Sequence, residues 1–352
     1  MPEIPDIEAY IEALRPRVVG ETLLGVRLAS PFLLRTVDPP LATVVRGCVE
    51  GVSRLGKRIV LQVAPERTEA SMPGLVAPAQ AGAGAPPFDA AVPGAVTHPT
   101  VAYDPTTHDP VAYDPAAVAA LFLVIHLMIA GRLHWKERGA AIPKGSGIAA
   151  FDFTSGTLVL TEAGSKRRAS LHLVRGRDAL VALDPGGIDL SASDAATLAT
   201  VLRRKNQTLK RALTDPSVIS GVGNAYSDEI LHRARLSPFK HTRSLDDAEI
   251  QRLRGAGAEV LAEWTNRLRS EAGESFPGKV TAFRPEMAVH GRFGAPCPVC
   301  GARIERIVYA DNECNYCPSC QTGGRVLADR ALSRLLKDEW PANVRHHRDQ
   351  EV

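Results

Sequence analysis

No hydrophobic run in the chain is long enough to cross a membrane. The longest, Ala116–Gly131, falls short of the ~20 apolar residues that a spanning helix needs, and it carries His126. The opening MPEIPDIEAY is acidic and lacks an apolar core, so it does not read as a secretion signal. A strong charge of one sign is also lacking. Lys and Arg number 42 against 39 Asp and Glu, a net of +3, which argues for a nucleic-acid partner only if it is segregated. Cysteine is scarce at six, and 352 residues bury enough surface to fold without disulfides. In the cytoplasmic chain expected here, cysteines read as metal ligands or free thiols.

The content is that of an ordinary globular protein, 45% apolar and 23% charged, sized for about two domains and a small module. Pro5–Leu14 opens with a proline in the first turn and places Ile7, Ile11 and Leu14 on one face, predicting a short helix that Gly20 stops. Strand-like pieces follow in LLGVRLA, PFLLRTV and RIVLQV, and again at Leu121–Leu133, Ile148–Phe153 and Thr157–Leu160. Between them, 66–117 is rich in Ala, Pro and Gly and repeats VAYDP, which reads as a low-complexity, disordered insertion without chemistry. From Ser191 to Arg269 the pattern turns helical, in DAATLATVLRR, NQTLKRALT, AYSDEILHRA and DDAEIQRLRGAGAEVLAEW. Leu327–Leu336 reads as a last amphipathic segment before a frayed polar tail. The expected division is 1–183 as a β-rich domain, 190–290 as a helical domain, 291–325 as a cysteine-rich module, and 326–352 as a helix and tail.

Cys297-Pro-Val-Cys300 and Cys317-Pro-Ser-Cys320 are sixteen residues apart. Two thiolate pairs on tight turns can close a tetrahedral site, and four cysteine ligands leave no open position, so the expected zinc is structural. Cys314-Asn-Tyr-Cys317 is a competing pair; Cys317/Cys320 is preferred because both knuckles then read C-P-x-C. Redox chemistry is the weaker alternative, without a thioredoxin-like context. Cys48 reads as a buried small hydrophobe.

Residues 201–243 hold nine Lys/Arg against three acids, so the positive charge is segregated as a phosphate-binding face requires. Within them lies Ser220-Gly-Val-Gly-Asn-Ala-Tyr226. Gly221 and Gly223 permit a tight turn at a helix start whose amides could hold a phosphate, with Asn224 as an added donor. A single charge run or glycine pair is more often just a solvated face or a turn. At the N-terminus, removal of Met1 would leave Pro2 as a free secondary amine able to form an iminium with an aldehyde-level carbon, with Glu3 beside it as acid or base. Lys57 enters a strand at Gly56-Lys-Arg-Ile59. Alone, Pro2 would be only a processing site and Lys57 only a surface lysine.

Taken together, MPEIPDIE, Gly56-Lys57-Arg58, HLMIAGRL at 126–133, LKRALTDPSVISGVGNAYSDEILHRARLSP at 209–238, and Val289-His-Gly-Arg292 before the cysteines resemble the formamidopyrimidine-DNA glycosylase/endonuclease VIII family. The resemblance runs over nearly the whole chain except 66–117. It implies an α+β multidomain fold: an N-terminal β-sandwich with a leading helix, a helical helix–two-turn–helix (H2TH) domain and a C-terminal zinc hairpin, with damaged double-stranded DNA in the cleft. It implies a monomeric base-excision DNA glycosylase and AP lyase, cytoplasmic and nucleoid-associated. Pro2 would attack C1′, Glu3 would assist sugar-ring opening and proton transfer, and β-elimination would cut the strand. Asp6 stands where the family commonly has glutamate. Lys57 would contact a phosphate, as would Lys210 and Asn224 beside Gly223, with Lys205 a further candidate. Flipping the damaged base exposes C1′.

The chain also departs from the family. In Glu162-Ala-Gly-Ser-Lys-Arg-Arg-Ala169 an arginine survives (Arg167 or Arg168), but Ala169 replaces the aromatic wedge. Ile129, next to Met128, takes the place of the void-filling methionine. Asn312 aligns with the hairpin arginine. An asparagine offers no charge to a phosphate, which weakens the case for δ-elimination; Arg303, Arg306 or Arg325 are candidates to compensate. Phe276–Val289 is short for a loop that caps 8-oxoguanine, which argues against that lesion as the preferred one. Two rival readings remain: a catalytically silent damage-binding protein of the same fold, and an unrelated zinc-ribbon factor, which explains only the cysteines.

Overall fold

The computed structural model describes residues 1–66, 120–164, 166–278, 280, 283–309, 312–328 and 344–346. The expected insertion, apart from Glu66, lies outside them.

Helix α1 (Ile4–Val18) leads. It runs a turn past the expected Leu14, carrying Pro16 in its last turn, and Gly20 follows with a positive φ of 83°. Two four-stranded antiparallel sheets come next. One has the order β1 (Leu23–Leu28), β6 (Gly147–Phe153), β7 (Thr157–Glu162), β5 (Gly131–Lys136). The other has the order β2 (Cys48–Leu55), β3 (Arg58–Ala64), β4 (Leu121–His126), β8 (Ser170–Arg175). Their inward residues and the α1 stripe Ile7, Tyr10, Ile11, Leu14, Val18 form one core. Each such side chain removed from water contributes on the order of 1.5–3 kcal/mol.

Two expectations for this part are corrected. PFLLRTV is not a strand: Pro31–Leu33 is a 3-10 turn opened by Pro31, and only Leu34 bridges a strand, at Leu171. Cys48 is exposed, because β2 is an edge strand that turns Val49 inward and, past the bulge between Val49 and Gly51, Val52 as well.

After a short α2 (Arg177–Val181) the chain becomes helical, with α3 (Ala195–Arg204), α4 (Leu209–Thr214), α5 (Asn224–Arg233) and α6 (Asp247–Ala272). Asp246 caps α6, accepting from Glu249 N at 2.7 Å while Glu249 accepts from Asp246 N at 3.1 Å. These helices share a second core, to which α1 contributes Ile4. A hairpin of β9 (Glu305–Tyr309) and β10 (Asn312–Tyr316), then α7 (Pro318–Thr322), follow. The expected helix at Leu327 is corrected: β11 (Val326–Ala328) pairs in parallel with β12 (Val344–His346), and Tyr316 Oη accepts from Leu327 N at 2.6 Å. The remainder of that expected helix, and of the frayed tail, lies outside the described residues. Among the described residues no helix is long and apolar enough to cross a membrane.

Candidate active site at the domain junction

The first turn of α1 and the start of α5 meet. Ile4 N donates to Gly221 O at 3.2 Å, and a Cβ on Gly221 would stand 2.3 Å from the Ile4 side chain, so only glycine admits the contact. This brings Glu3, 2% exposed, onto the free amides of α5. Its carboxylate accepts from Gly223 N at 2.5 Å, Ala225 N at 2.9 Å and Tyr226 N at 3.3 Å. The helix start read from the sequence as a phosphate site is therefore filled by the protein's own carboxylate, the charge that a helix N-terminus favours. A Cβ on Gly223 would lie 2.6 Å from Glu3 Cδ and 2.7 Å from Lys57 Nζ. Gly223 thus fixes how closely three segments approach.

Pro2 is buried next to Glu3, and Met1 is half-buried. Met1, Lys57, His126, Met128, Thr214 and Gly221 line a cavity of about 180 Å3. Burial lowers the pKa of the Met1 ammonium, with Glu3 acting against the shift. Burial likewise lowers Lys57; Glu3 opposes this and Lys210 adds to it. His126, which the sequence reading did not single out although it begins HLMIAGRL, is lowered to about 4 by burial and then by Arg58 and Lys57, so it is neutral at pH 7. Arg54, equally unremarked, donates to Glu8 on α1 at 2.7 Å and to Gly56 O at 3.3 Å, and it pairs with Asp189. It holds the Lys57 turn against both neighbouring segments.

Asp6 Oδ2 accepts from Glu3 N at 3.0 Å. Its Oδ1 is buried without a hydrogen-bond partner among the described residues. Burial pushes the carboxyl up to about 6, and the Glu3 charge adds to the rise. Asp6, Phe276, Val280 and Arg284 line a second cavity of about 350 Å3.

The basic region differs from its linear reading. Lys210, expected on a phosphate, is 4% exposed. Its Nζ donates to Asp228 Oδ1 at 2.6 Å, Ser227 Oγ at 2.8 Å and Asn224 O at 2.7 Å. Asp228 also accepts from His290 Nδ1 at 2.8 Å and Asn315 N at 3.1 Å. Burial alone would raise the Asp228 pKa, but Lys210 and then His290 outweigh it and the net shift is downward. Asn224 Nδ2 donates to Glu313 O at 2.9 Å, tying α5 to the hairpin. Other cations of the run pair with α6: Arg203 with Asp247, Lys240 with Glu249, and Arg233 with Glu259 and Glu263. Arg204, Lys205, Arg211 and Arg235 remain exposed.

Along one end of the β2-β3-β4-β8 sheet, Arg58 pairs with His126 and His126 with Ser170. Lys57, the Met128–Ile129 turn and Arg167–Arg168 therefore stand side by side. Ile129 is 59% exposed and Met128 takes a positive φ of 52°. Glu162, buried, accepts from Arg168 N at 2.9 Å and Ala169 N at 3.1 Å, which pins the loop that carries the two exposed arginines. Asn312 starts β10, opposite Tyr309.

The sulfurs of Cys297, Cys300, Cys317 and Cys320 lie within 4.8 Å of one another, with 3.9 Å between Cys297 and Cys320 and 3.4 Å between Cys300 and Cys317. Tetrahedral zinc with ~2.3 Å bonds needs sulfurs about 3.8 Å apart, so the four fit a structural zinc. Cys314 is excluded from the cluster; it is buried beside Asp228, and burial raises its pKa. His232 Nε2 stands 3.3 Å from Cys297 Sγ, joining α5 to this centre.

Three family descriptions match the chain: the formamidopyrimidine-DNA glycosylase N-terminal domain over residues 1–82, its H2TH domain over 182–270, and the zinc finger found in FPG and IleRS over 294–323. An uncharacterized formamidopyrimidine-DNA glycosylase-like protein of Mycobacterium tuberculosis is 44% identical over 156 residues, 44% of this chain and 95% of that protein. A formamidopyrimidine-DNA glycosylase of Exiguobacterium sibiricum is 24% identical over 91% of this chain and 99% of its own length. Among solved structures, MutM in complex with DNA containing carbocyclic 8-oxo-G shares the fold at a TM-score of 0.67 and 19% identity, covering 91% of this chain and all of that one.

Proposed function

Because the chain belongs to the formamidopyrimidine-DNA glycosylase family, we propose that it is a base-excision DNA glycosylase with AP-lyase activity, acting on damaged double-stranded DNA through the Pro2 amine. The observation that carries this reading is the Glu3 carboxylate, held by three α5 amides next to Pro2 and within reach of Lys57.

Removal of Met1 frees the Pro2 nitrogen. Its lone pair attacks C1′ as the C1′–N bond to the damaged base breaks, and the base leaves with the bonding pair and takes a proton from water. Glu3, fixed by its amides, takes the proton that the Pro2 nitrogen loses and relays it to the ring oxygen as the sugar opens to an iminium. The iminium acidifies the C2′ proton; its removal expels the 3′ phosphate by β-elimination, and water then releases the amine. Lys57, whose pKa burial lowers, stands ready to hold a phosphate or take a proton. The neutral form of Asp6 can donate a hydrogen bond into the larger cavity, which is suited to an everted base. Zinc, when bound, fixes the hairpin and supplies no chemistry. We assign the protein to the cytoplasm as a monomer at the nucleoid, with Lys205, Arg167, Arg168 and Asn312 as further DNA contacts.

The test is borohydride trapping on abasic-site duplex, after intact mass has established that Met1 is gone. A covalent adduct that vanishes in Pro2→Gly is expected. Bound abasic DNA without an adduct would refute the lyase and leave a damage-binding protein.

A further inference from the structure

Phe32 is an aromatic side chain left 80% exposed on a rigid segment. Leu33 beside it is buried in the sandwich core, Leu33 N donates to Ser30 O at 3.2 Å, and Arg35 N donates to Leu171 O at 2.8 Å. Leu34 bridges Leu171 in parallel. The segment therefore flanks β8 on the side opposite β4, and Phe32, two residues before Leu34, comes level with Ala169, two before Leu171. Phe32, Arg167 and Ala169 line one small cleft.

Across this end of the sheet the order is thus the Lys57 turn, the Met128–Ile129 turn, the Arg167–Ala169 loop and Phe32. Neighbouring strands are about 4.8 Å apart, so the row spans about 15 Å. That is roughly four base steps at 3.4 Å. Arg167 shares the cleft with Phe32, and Arg35, Lys166 and Arg168 are exposed on the same two segments, a charge setting suited to a phosphate backbone. Proteins that open a duplex insert apolar side chains between base steps and hold the flanking phosphates with cations. Ala169 cannot do this: it is 4% exposed, packed in the core and pinned by Glu162.

We infer that Phe32 is the wedge of this enzyme: its ring enters the base stack within about four base steps of the damaged nucleotide while Arg167 holds the adjoining backbone. The inference rests on the DNA-repair reading above and adds to it a specificity-determining residue on a different segment. It makes the protein selective for duplex that unstacks readily.

The test uses full-length, zinc-loaded protein and duplexes carrying a tetrahydrofuran abasic analogue with 2-aminopurine at each of the first four steps beside it in turn, read at the step that responds most. Wild-type binding is expected to raise the fluorescence. Phe32→Ala should lose most of that rise and bind the duplex about tenfold more weakly, in line with the loss of one base–aromatic stack. Phe32→Trp should restore both. Val37→Ala, at a 92% exposed position on the same segment, should change neither. Trapping on single-stranded abasic DNA, which has no stack to open, should stay within twofold of wild type in Phe32→Ala. An unchanged fluorescence rise and affinity in Phe32→Ala, or an equal loss of single-strand trapping, overturns the wedge. If wild type raises the fluorescence but forms no adduct, the lyase reading fails while the wedge stands.

Discussion

Replacing Lys210 by methionine separates two roles for a residue that its motif would place on DNA. Lys210 and Asp228 have side chains 5% and 0% exposed, with Nζ and Oδ1 2.6 Å apart. Removing the cation leaves a buried carboxylate with the donors His290 Nδ1, Asn315 N and, at 3.5 Å, Asn315 Nδ2. Breaking a buried pair from one side costs about 3–5 kcal/mol. At roughly 2–4 °C per kcal/mol, Tm should fall by about 6–20 °C, read by calorimetry on the zinc-loaded protein. The pH dependence carries a sign. In wild type the Asp228 pKa is lowered, so its contribution is present above the unfolded carboxylate pKa and is lost as pH falls. Without Lys210, burial dominates and raises that pKa. The folded state then gains by protonation, and the defect should shrink between pH 8 and pH 5. Lys210→Met/Asp228→Asn should recover at least about 1 kcal/mol of the single-mutant loss. A phosphate contact predicts the reverse pattern: unchanged Tm, weaker binding to every duplex and a salt slope smaller by about one. A Tm shift below about 2 °C together with that reduced slope would refute the buried-pair reasoning.

Three further outcomes are expected. Asp6 has a folded pKa raised from 3.8 to about 6, so its contribution is full below pH 4 and is lost as pH rises through 6. Asp6→Asn should therefore gain about 2–3 kcal/mol relative to wild type between pH 4 and pH 8 in denaturant titrations, and a flat difference would show that the carboxyl is not desolvated. Gly223→Ala forces a Cβ to within 2.6 Å of Glu3 Cδ, so abasic-site cleavage should fall about 100-fold with zinc content unchanged, and near-wild-type cleavage would mean that the junction relaxes at little cost. Cys297→Ser should lose the zinc, expected at about one per chain, along with the hairpin's stability and duplex affinity; unchanged metal by mass spectrometry would show that the ligand set is wrong.

Local periodicity was readable and distant contact was not. Ile7, Ile11 and Leu14 share a helical face in the sequence and are fully buried in the structure. The two C-P-x-C knuckles named four sulfurs that do converge, because each pair lies on one short turn. The amides at Gly223 were legible as an anion site, but the anion is 220 residues away in sequence. Counting charges over 201–243 found a cationic run but not its partners, since Asp247, Glu249, Glu259 and Glu263 lie beyond that window on α6. PFLLRTV has strand composition, yet Pro31 turns it, and that turn exposes the one aromatic that a strand reading would have half-buried.

The Glu3 contact ties the chemistry to domain docking. A carboxylate on a loop would choose among rotamers; this one is held by the amides of Gly223, Ala225 and Tyr226 at the start of α5. An anion at a helix N-terminus gains about 0.3–1 kcal/mol when exposed and up to ~2 kcal/mol when partly buried. That gain exists only while α1 and α5 touch, as does the Ile4–Gly221 bond. On α5, Asn224 holds Glu313 of the hairpin and His232 faces Cys297 of the metal cluster. A single ten-residue helix therefore joins the N-terminal acid, the hairpin and the zinc centre. Loss of zinc should accordingly reach the acid through α5, whose His232 end faces the metal cluster and whose first amides hold Glu3, and abasic-site cleavage by chelator-treated protein should fall along with duplex affinity.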